Sequence, residues 1–89
     1  MQMQKQEIIV KNETGLHARP AAMIVKIASR FQSNIIFAKE DHEANAKSMM
    51  GIMALGAAKG ERIEIRIEGA DEKEAMDAMI SLFESNFGE

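Results

Sequence analysis

The sequence predicts an open-faced α/β (α+β) sandwich, and three observations carry that expectation. Residues Glu61–Glu68 alternate isoleucine with charge, so Ile63, Ile65 and Ile67 line one sheet face while the charged residues line the other. Strand-like and helix-like periods follow one another in the order β-α-β-β-α-β-α. A sheet with one polar face leaves only its other face for helices to cover, which gives a two-layer packing.

Taken in order, Gln6–Lys11 reads as the first strand, with Ile8, Ile9 and Val10 as its apolar centre. A loop follows at Asn12-Glu13-Thr14-Gly15. The first helix runs from about Ala18 to Phe31, with Ala21, Ile24 or Val25, Ala28 and Phe31 at core spacing. Ser33-Asn34 breaks it, and Ile35–Ala38 is the second strand. Asp41-His42 makes a tight turn into the third strand, Glu43–Ala46, which carries the weakest pattern. Ser48 to about Ala57 forms a short helix, and Glu61–Glu68 is the fourth strand, ended by Gly69. Asp71 with Glu74 three residues later reads as a capping box for a last helix whose inner face is Ala75, Met79, Leu82 and Phe83.

The chain of 89 residues is expected to form a single domain over residues 1–89, with Met1-Gln2-Met3-Gln4 as a disordered or extended extra. With no cysteine, disulfides and thiolate metal clusters are excluded, and a packed core has to supply the stability. No apolar run approaches a membrane span or a signal sequence, so a soluble, cytoplasmic monomer without direct membrane insertion is expected. A net charge of −3, scarce aromatics and the lack of a basic stripe exclude nucleic acid as a partner. Eight methionines are many for this length, and they fill core gaps or form an adaptable docking surface.

The most informative stretch is Gly15-Leu16-His17-Ala18-Arg19-Pro20-Ala21-Ala22. Proline is tolerated in a first helical turn because the N–H it lacks would have had no intrahelical acceptor. This spacing makes His17 the N-cap, with Ala18, Arg19 and Pro20 as the first helical residues. The unpartnered amides and the dipole of a helix start attract anions, so a histidine placed there has a phosphate-binding nest beneath its ring. By analogy with a capping asparagine, its Nδ1 is expected to lie near those amides and to carry phosphate. Arg19 adds a planar donor fork for phosphate oxygens, and the Ala18 and Arg19 amides complete the expected phosphoryl-binding backbone.

This octet resembles the active-site signature of the HPr family, the histidine-containing phosphocarriers of the bacterial phosphoenolpyruvate:sugar phosphotransferase system. The likeness extends to Lys47-Ser48-Met49-Met50-Gly51-Ile52-Met53 and to Gly69-Ala70-Asp71-Glu72. It implies a four-stranded antiparallel sheet covered on one face by three helices. It also implies that His17 accepts a phosphoryl group from enzyme I and passes it to enzyme IIA domains, with Arg19 orienting the group. Such a carrier acts stoichiometrically with its partner enzymes rather than as an enzyme itself. Two alternatives share parts of the pattern. The nitrogen-related phosphotransferase branch carries the same active-site motif. HPr-like regulators of the Crh type act through the serine but lack the active histidine, so His17 argues against that as the sole role.

In the second helix, Ile52 and Leu55 fall on one arc and Met49, Met50 and Met53 on the other, at about 100° per residue. The methionine arc reads as a docking surface, and the resemblance assigns partner contact to this helix. Lys26 and Arg30, on the exposed side of the first helix, read by default as solvated charge, with contact to acidic partners as the functional alternative and Lys26 counted among the docking residues. Ser48 is a preferred N-cap residue. The resemblance adds phosphorylation of Ser48 by HPr kinase/phosphorylase, which would change docking and recruit a transcriptional regulator. His42 reads as a solvated turn residue. The two histidines lie far apart without ligand spacing, and the glycines lack a phosphate-loop pattern, so neither a metal nor a cofactor is expected.

Overall fold

Ile63, Ile65 and Ile67 are completely buried, as their alternation requires, and they sit at the centre of the fold. Each contributes roughly 1.5–3 kcal/mol through burial. In the computed structural model, which describes residues 3–88, seven elements follow one another. They are β1 (Gln4–Ile9), α1 (Ala18–Ala28), β2 (Asn34–Lys39), β3 (His42–Asn45), α2 (Met49–Leu55), β4 (Arg62–Glu68) and α3 (Glu72–Glu84). A short 3-10 turn, Asn86–Gly88, follows α3. The sheet order is β1-β4-β2-β3, with every neighbouring pair antiparallel. The order of elements, the strand direction and the three helices agree with the expected open-faced sandwich.

The core lies between sheet and helices, where Ile24, Ile35, Phe37, Ile52, Ile65 and Met79 meet. Phe37, Phe83 and Phe87 form an aromatic row, with the last two rings edge-on at 4.9 Å. Phe87 is absent from the expected core. It reaches its place because Asn86 and Phe87 both take left-handed backbone angles after α3, which folds the chain end back. The opposite sheet face carries charge, with Arg66 bridging Glu64 and Glu43.

Several boundaries differ from expectation, each for a local reason. β1 begins at Gln4, opposite Ile67, so Gln4 belongs to the sheet rather than to an extra segment; Met1 and Gln2 lie outside the described residues. α1 stops at Ala28, three residues short of Phe31, because Arg30 and Phe31 tighten into i→i−3 bonds with Ile27 and Ala28. Of the two alternatives in α1, Ile24 is fully buried and Val25 only half-buried. The turn falls at Glu40-Asp41, where Glu40 has φ +54°, so His42 opens β3 opposite Lys39 instead of sitting in the loop. α2 ends at Leu55 because Gly56 adopts the left-handed C-cap conformation, at φ +65°.

The capping box is also absent. The side chain of Asp71 makes no bond to its own helix. Its carboxylate instead accepts the backbone N–H groups of Gln32 (2.9 Å) and Ser33 (3.0 Å) and the Ser33 hydroxyl (2.5 Å). The turn between α1 and β2 leaves those amides without helical or sheet partners, so they take the nearest carboxylate. Glu72 performs the local duty, accepting the Gly69 N–H at 3.0 Å. The Ser33 hydroxyl, followed by the amide of Gln32, holds the Asp71 carboxyl below the usual carboxylate range. A carboxyl depressed on folding stabilises above its unfolded pKa of about 3.9, and that stabilisation disappears as pH falls through the lower folded value. In thermal melts from about pH 7 to about pH 2, Asp71→Asn is therefore expected to be less stable than the parent at neutral pH. The difference should shrink steadily below about pH 4. A gap that stays constant with pH would remove Asp71 from the acid transition.

Candidate functional site

The loop that carries His17 is built against the loop after α2. Val10, one residue past β1, exchanges two backbone bonds with the facing strand end, Val10 N–H to Glu61 O at 2.9 Å and Gly60 N–H to Val10 O at 2.7 Å. The chain then turns through Asn12–Gly15, closed by Gly15 N–H to Asn12 O at 3.1 Å. The fully buried Asn12 side chain braces this turn from inside, its Nδ2 donating to Gly15 O at 2.5 Å. Gly15 is required on two counts. Its φ is +64°, and a Cβ there would lie 2.4 Å from the Ala57 carbonyl oxygen. That close approach lets Leu16 donate its N–H to Ala57 O at 2.9 Å and bury its side chain.

His17 follows as the N-cap of α1, with φ −76° and ψ −169°, and its carbonyl accepts the first helical bond from Ala21 at 2.8 Å. Pro20 is buried and supplies no N–H. The amides of Ala18 and Arg19 have no protein acceptor among the described residues, and the first turn holds no acidic residue to compete for an anion. The His17 side chain is exposed and makes no capping bond, so the expected capping contact of Nδ1 with the helix amides is not formed in this structure. Ala18, Arg19 and Lys26 are exposed as well, which leaves both the amide nest and the basic side chains open to an incoming group.

Beside His17 runs a shallow groove of about 180 Å³, lined by Thr14, Leu16, His17, Met53, Gly56, Ala57 and Ala58. It joins the start of α1 to the end of α2. Met53 shares this groove with the histidine, whereas Met50 projects furthest into solvent at 83% exposure. Met49 departs from the expected outward arc: it is half-buried and packs against the core. Ile52 and Leu55 turn inward, as the helical spacing required.

Ser48 begins α2 at the end away from Gly56, and its hydroxyl oxygen accepts the Gly51 N–H at 3.1 Å. Lys47 just before it donates to Phe31 O at 2.7 Å, tying the start of α2 to the turn after α1. Among the described residues no group of His, Asp and Glu side chains gathers in a metal-binding arrangement, and no helix is long and apolar enough to cross a membrane. The inward bracing by Asn12 and the fit of Gly15 against Ala57 escape sequence reasoning. The Asn12 bond to Gly15 is local but leaves no periodic mark, and a glycine in a loop carries no pattern that announces a partner about forty residues away; the Gly15–Ala57 fit exists only once both loops are in place.

Comparison with known proteins places these residues in context. Residues 4–85 match the family described as the PTS HPr component phosphorylation site. The chain is 48% identical over 87 residues to a phosphocarrier protein HPr of Xylella fastidiosa (strain 9a5c), covering 98% of both chains. Its fold superimposes on a crystal structure of HPr from Thermoanaerobacter tengcongensis with a TM-score of 0.94 at 50% identity, covering 97% of each. It also resembles a structure described as an HPr dimer from the same organism, with a TM-score of 0.79 at 52% identity, covering 92% of this chain and 94% of that one. A dimer among such near relatives does not fit the expected monomer.

Proposed function

This chain belongs to the HPr family of phosphocarriers, and from that premise we propose that His17 accepts a phosphoryl group from enzyme I and hands it to sugar-specific enzyme IIA domains. The observation that carries the proposal is the position of His17. It is an exposed imidazole at the N-cap of an eleven-residue helix whose next two amides are unpartnered. A ring nitrogen attacks the donor's phosphorus in line, forming a new N–P bond as the donor's own breaks. The Ala18 and Arg19 amides, the helix dipole and the Arg19 guanidinium then stabilise the transferred charge. An exposed, shallow site suits a shuttle, because each partner completes it in turn and leaves again. Lys26, Met50 and Met53 are assigned to docking, with these two methionines as the apolar centre and Lys26 toward acidic partners. The test is incubation with enzyme I and phosphoenolpyruvate, followed by mass spectrometry and an acid-lability assay. Acid-labile phosphate mapped to His17 supports the carrier; an unmodified chain overturns it.

Ser48 is assigned a regulatory role beside its capping role. A phosphate there adds about −1.5 to −2 charges at the start of the helix that carries the methionines, while a helix N-terminus tolerates that charge. HPr kinase/phosphorylase is the proposed modifying enzyme, and a transcriptional regulator the proposed reader of the modified form. Ser48→Asp keeps a capping oxygen, so helix stability is expected to hold. The added charge should slow transfer from enzyme I about tenfold, equivalent to roughly 1.4 kcal/mol at the interface. Ser48→Ala loses the cap, at about 0.5–2 kcal/mol of stability, yet should transfer near the parent rate. Equal rates for all three proteins in a phosphotransfer assay would leave Ser48 a cap and nothing more.

A further inference from the structure

The loop over residues 56–58 is the floor on which the His17 loop rests; backbone bonds from Gly56 to Met53 and from Glu61 to Ala58 shape it, and the Lys39–Glu61 ion pair supplies its side-chain support. Leu16, immediately before His17, bonds to Ala57 O, and Gly15 packs against Ala57 and Ala58. Gly56, Ala57 and Ala58 also line the groove that His17 and Met53 share. Beneath them, Glu61 Oε1 accepts the Ala58 N–H at 2.6 Å and the Lys39 ammonium at 3.2 Å. Lys39 donates as well to the carbonyl of Gly56, at 3.2 Å. Both ends of the 56–58 segment therefore converge on the Lys39–Glu61 pair, although Lys39 comes from the end of β2, far from His17 in sequence.

We propose that Glu61, held by Lys39, is a positioning residue for phosphoryl transfer at His17, acting through Ala58, Ala57 and Leu16. The inference rests on the reading of His17 as the acceptor and identifies what fixes that acceptor in place. The Ala58 N–H, and then Lys39, hold the Glu61 carboxyl below the usual carboxylate range, so it stays ionised and bonded at neutral pH. In-line transfer depends on alignment, and a displacement of about 1 Å can cost on the order of a hundredfold in rate. A floor that slips would move the Leu16 bond, and with it the direction of the imidazole and of the amides at the helix start. The outlying contacts between the two loops cannot substitute. The Lys59–Glu13 pair is fully at the surface, and the Val10 bonds lie at the sheet end rather than beneath the groove.

The test compares Glu61→Ala, Glu61→Gln and Glu64→Ala with the parent, under two phosphate donors and with amide exchange at Leu16. Glutamine keeps an oxygen that can accept the Ala58 N–H, whereas alanine keeps none. Glu64→Ala breaks an ion pair within β4, the strand that Glu61 leads into, but on the far sheet face, and so controls for general loosening. One donor is enzyme I, with maximal rate and half-saturating concentration measured separately. The other is phosphoramidate, which needs no protein partner: a ring nitrogen of His17 bonds to phosphorus while the P–N bond breaks, and the departing nitrogen leaves with the electron pair as ammonia. Glu61→Ala is expected to speed Leu16 exchange and to slow both reactions about ten- to a hundredfold, with the half-saturating enzyme I concentration unchanged. Glu61→Gln should restore most of the rate, and Glu64→Ala should match the parent. Parental rates and Leu16 exchange in Glu61→Ala would overturn the proposal, as would equal slowing in Glu64→Ala. If enzyme I phosphorylates no form of the chain, the carrier reading fails, while the phosphoramidate rates still decide whether Glu61 positions His17.

Discussion

His17→Ala is expected to leave a folded chain that accepts no phosphate from enzyme I. Losing a capping side chain commonly costs about 0.5–2 kcal/mol, but His17 makes no capping bond and is exposed, so the loss should fall at the low end. The helix retains its first backbone bond, from Ala21 N–H to the residue 17 carbonyl, which does not depend on the side chain. Acceptance, by contrast, loses its only nucleophile at the helix start. The remaining imidazole, His42, opens β3 opposite Lys39 and has no part in the groove. Circular dichroism should show a parental fold with a melting point lowered by only a few degrees, and mass spectrometry should show no added phosphate. Phosphate appearing on His42 at the parent rate would refute the assignment.

Gly15→Ala is expected to damage stability and transfer together. Alanine at φ +64° carries a backbone cost of about 1–2 kcal/mol. Its Cβ would also sit 2.4 Å from the Ala57 oxygen and 2.9 Å from the Ala58 Cα, both backbone atoms that cannot rotate away. The two loops must part, adding about 1–3 kcal/mol of overpacking and breaking the Leu16 bond to Ala57. Urea denaturation should register a loss of about 2–5 kcal/mol, and transfer should fall by on the order of a hundredfold as His17 is displaced. Gly60→Ala separates the two causes. Gly60 also has a positive φ, at +90°, but no atom lies within 4 Å of its would-be Cβ. It should lose stability through backbone strain alone and retain most of the transfer rate. Parental behaviour of Gly15→Ala would show that the close approach of the two loops is dispensable.

The parts of the fold legible in the sequence are those held by local physics. The isoleucine alternation of β4 depends on residues within a turn or two of one another. So does the Ser48 cap, which bonds only three residues ahead. The position of His17 at the start of α1 is equally local, because Pro20 and the loop before it leave no other place for the helix to begin.

Asp71 marks where that legibility ends. Its spacing from Glu74 describes a capping box, yet its carboxylate serves Gln32 and Ser33, because their amides had no other acceptor once the α1–β2 turn packed against α3. The same holds around the site. From the sequence alone came the proposed acceptor histidine, the arginine beside it, the helix start beneath them and the order of the elements. Only the tertiary structure decided that Gly15 fits against Ala57, that Met49 lies against the core while Met50 stands free, and that Lys39 and Glu61 support the floor under Leu16. Periodicity and capping are written in neighbouring residues. The partner of a loop amide is whichever acceptor the packed fold brings within about 3 Å, and no local pattern encodes which one that will be.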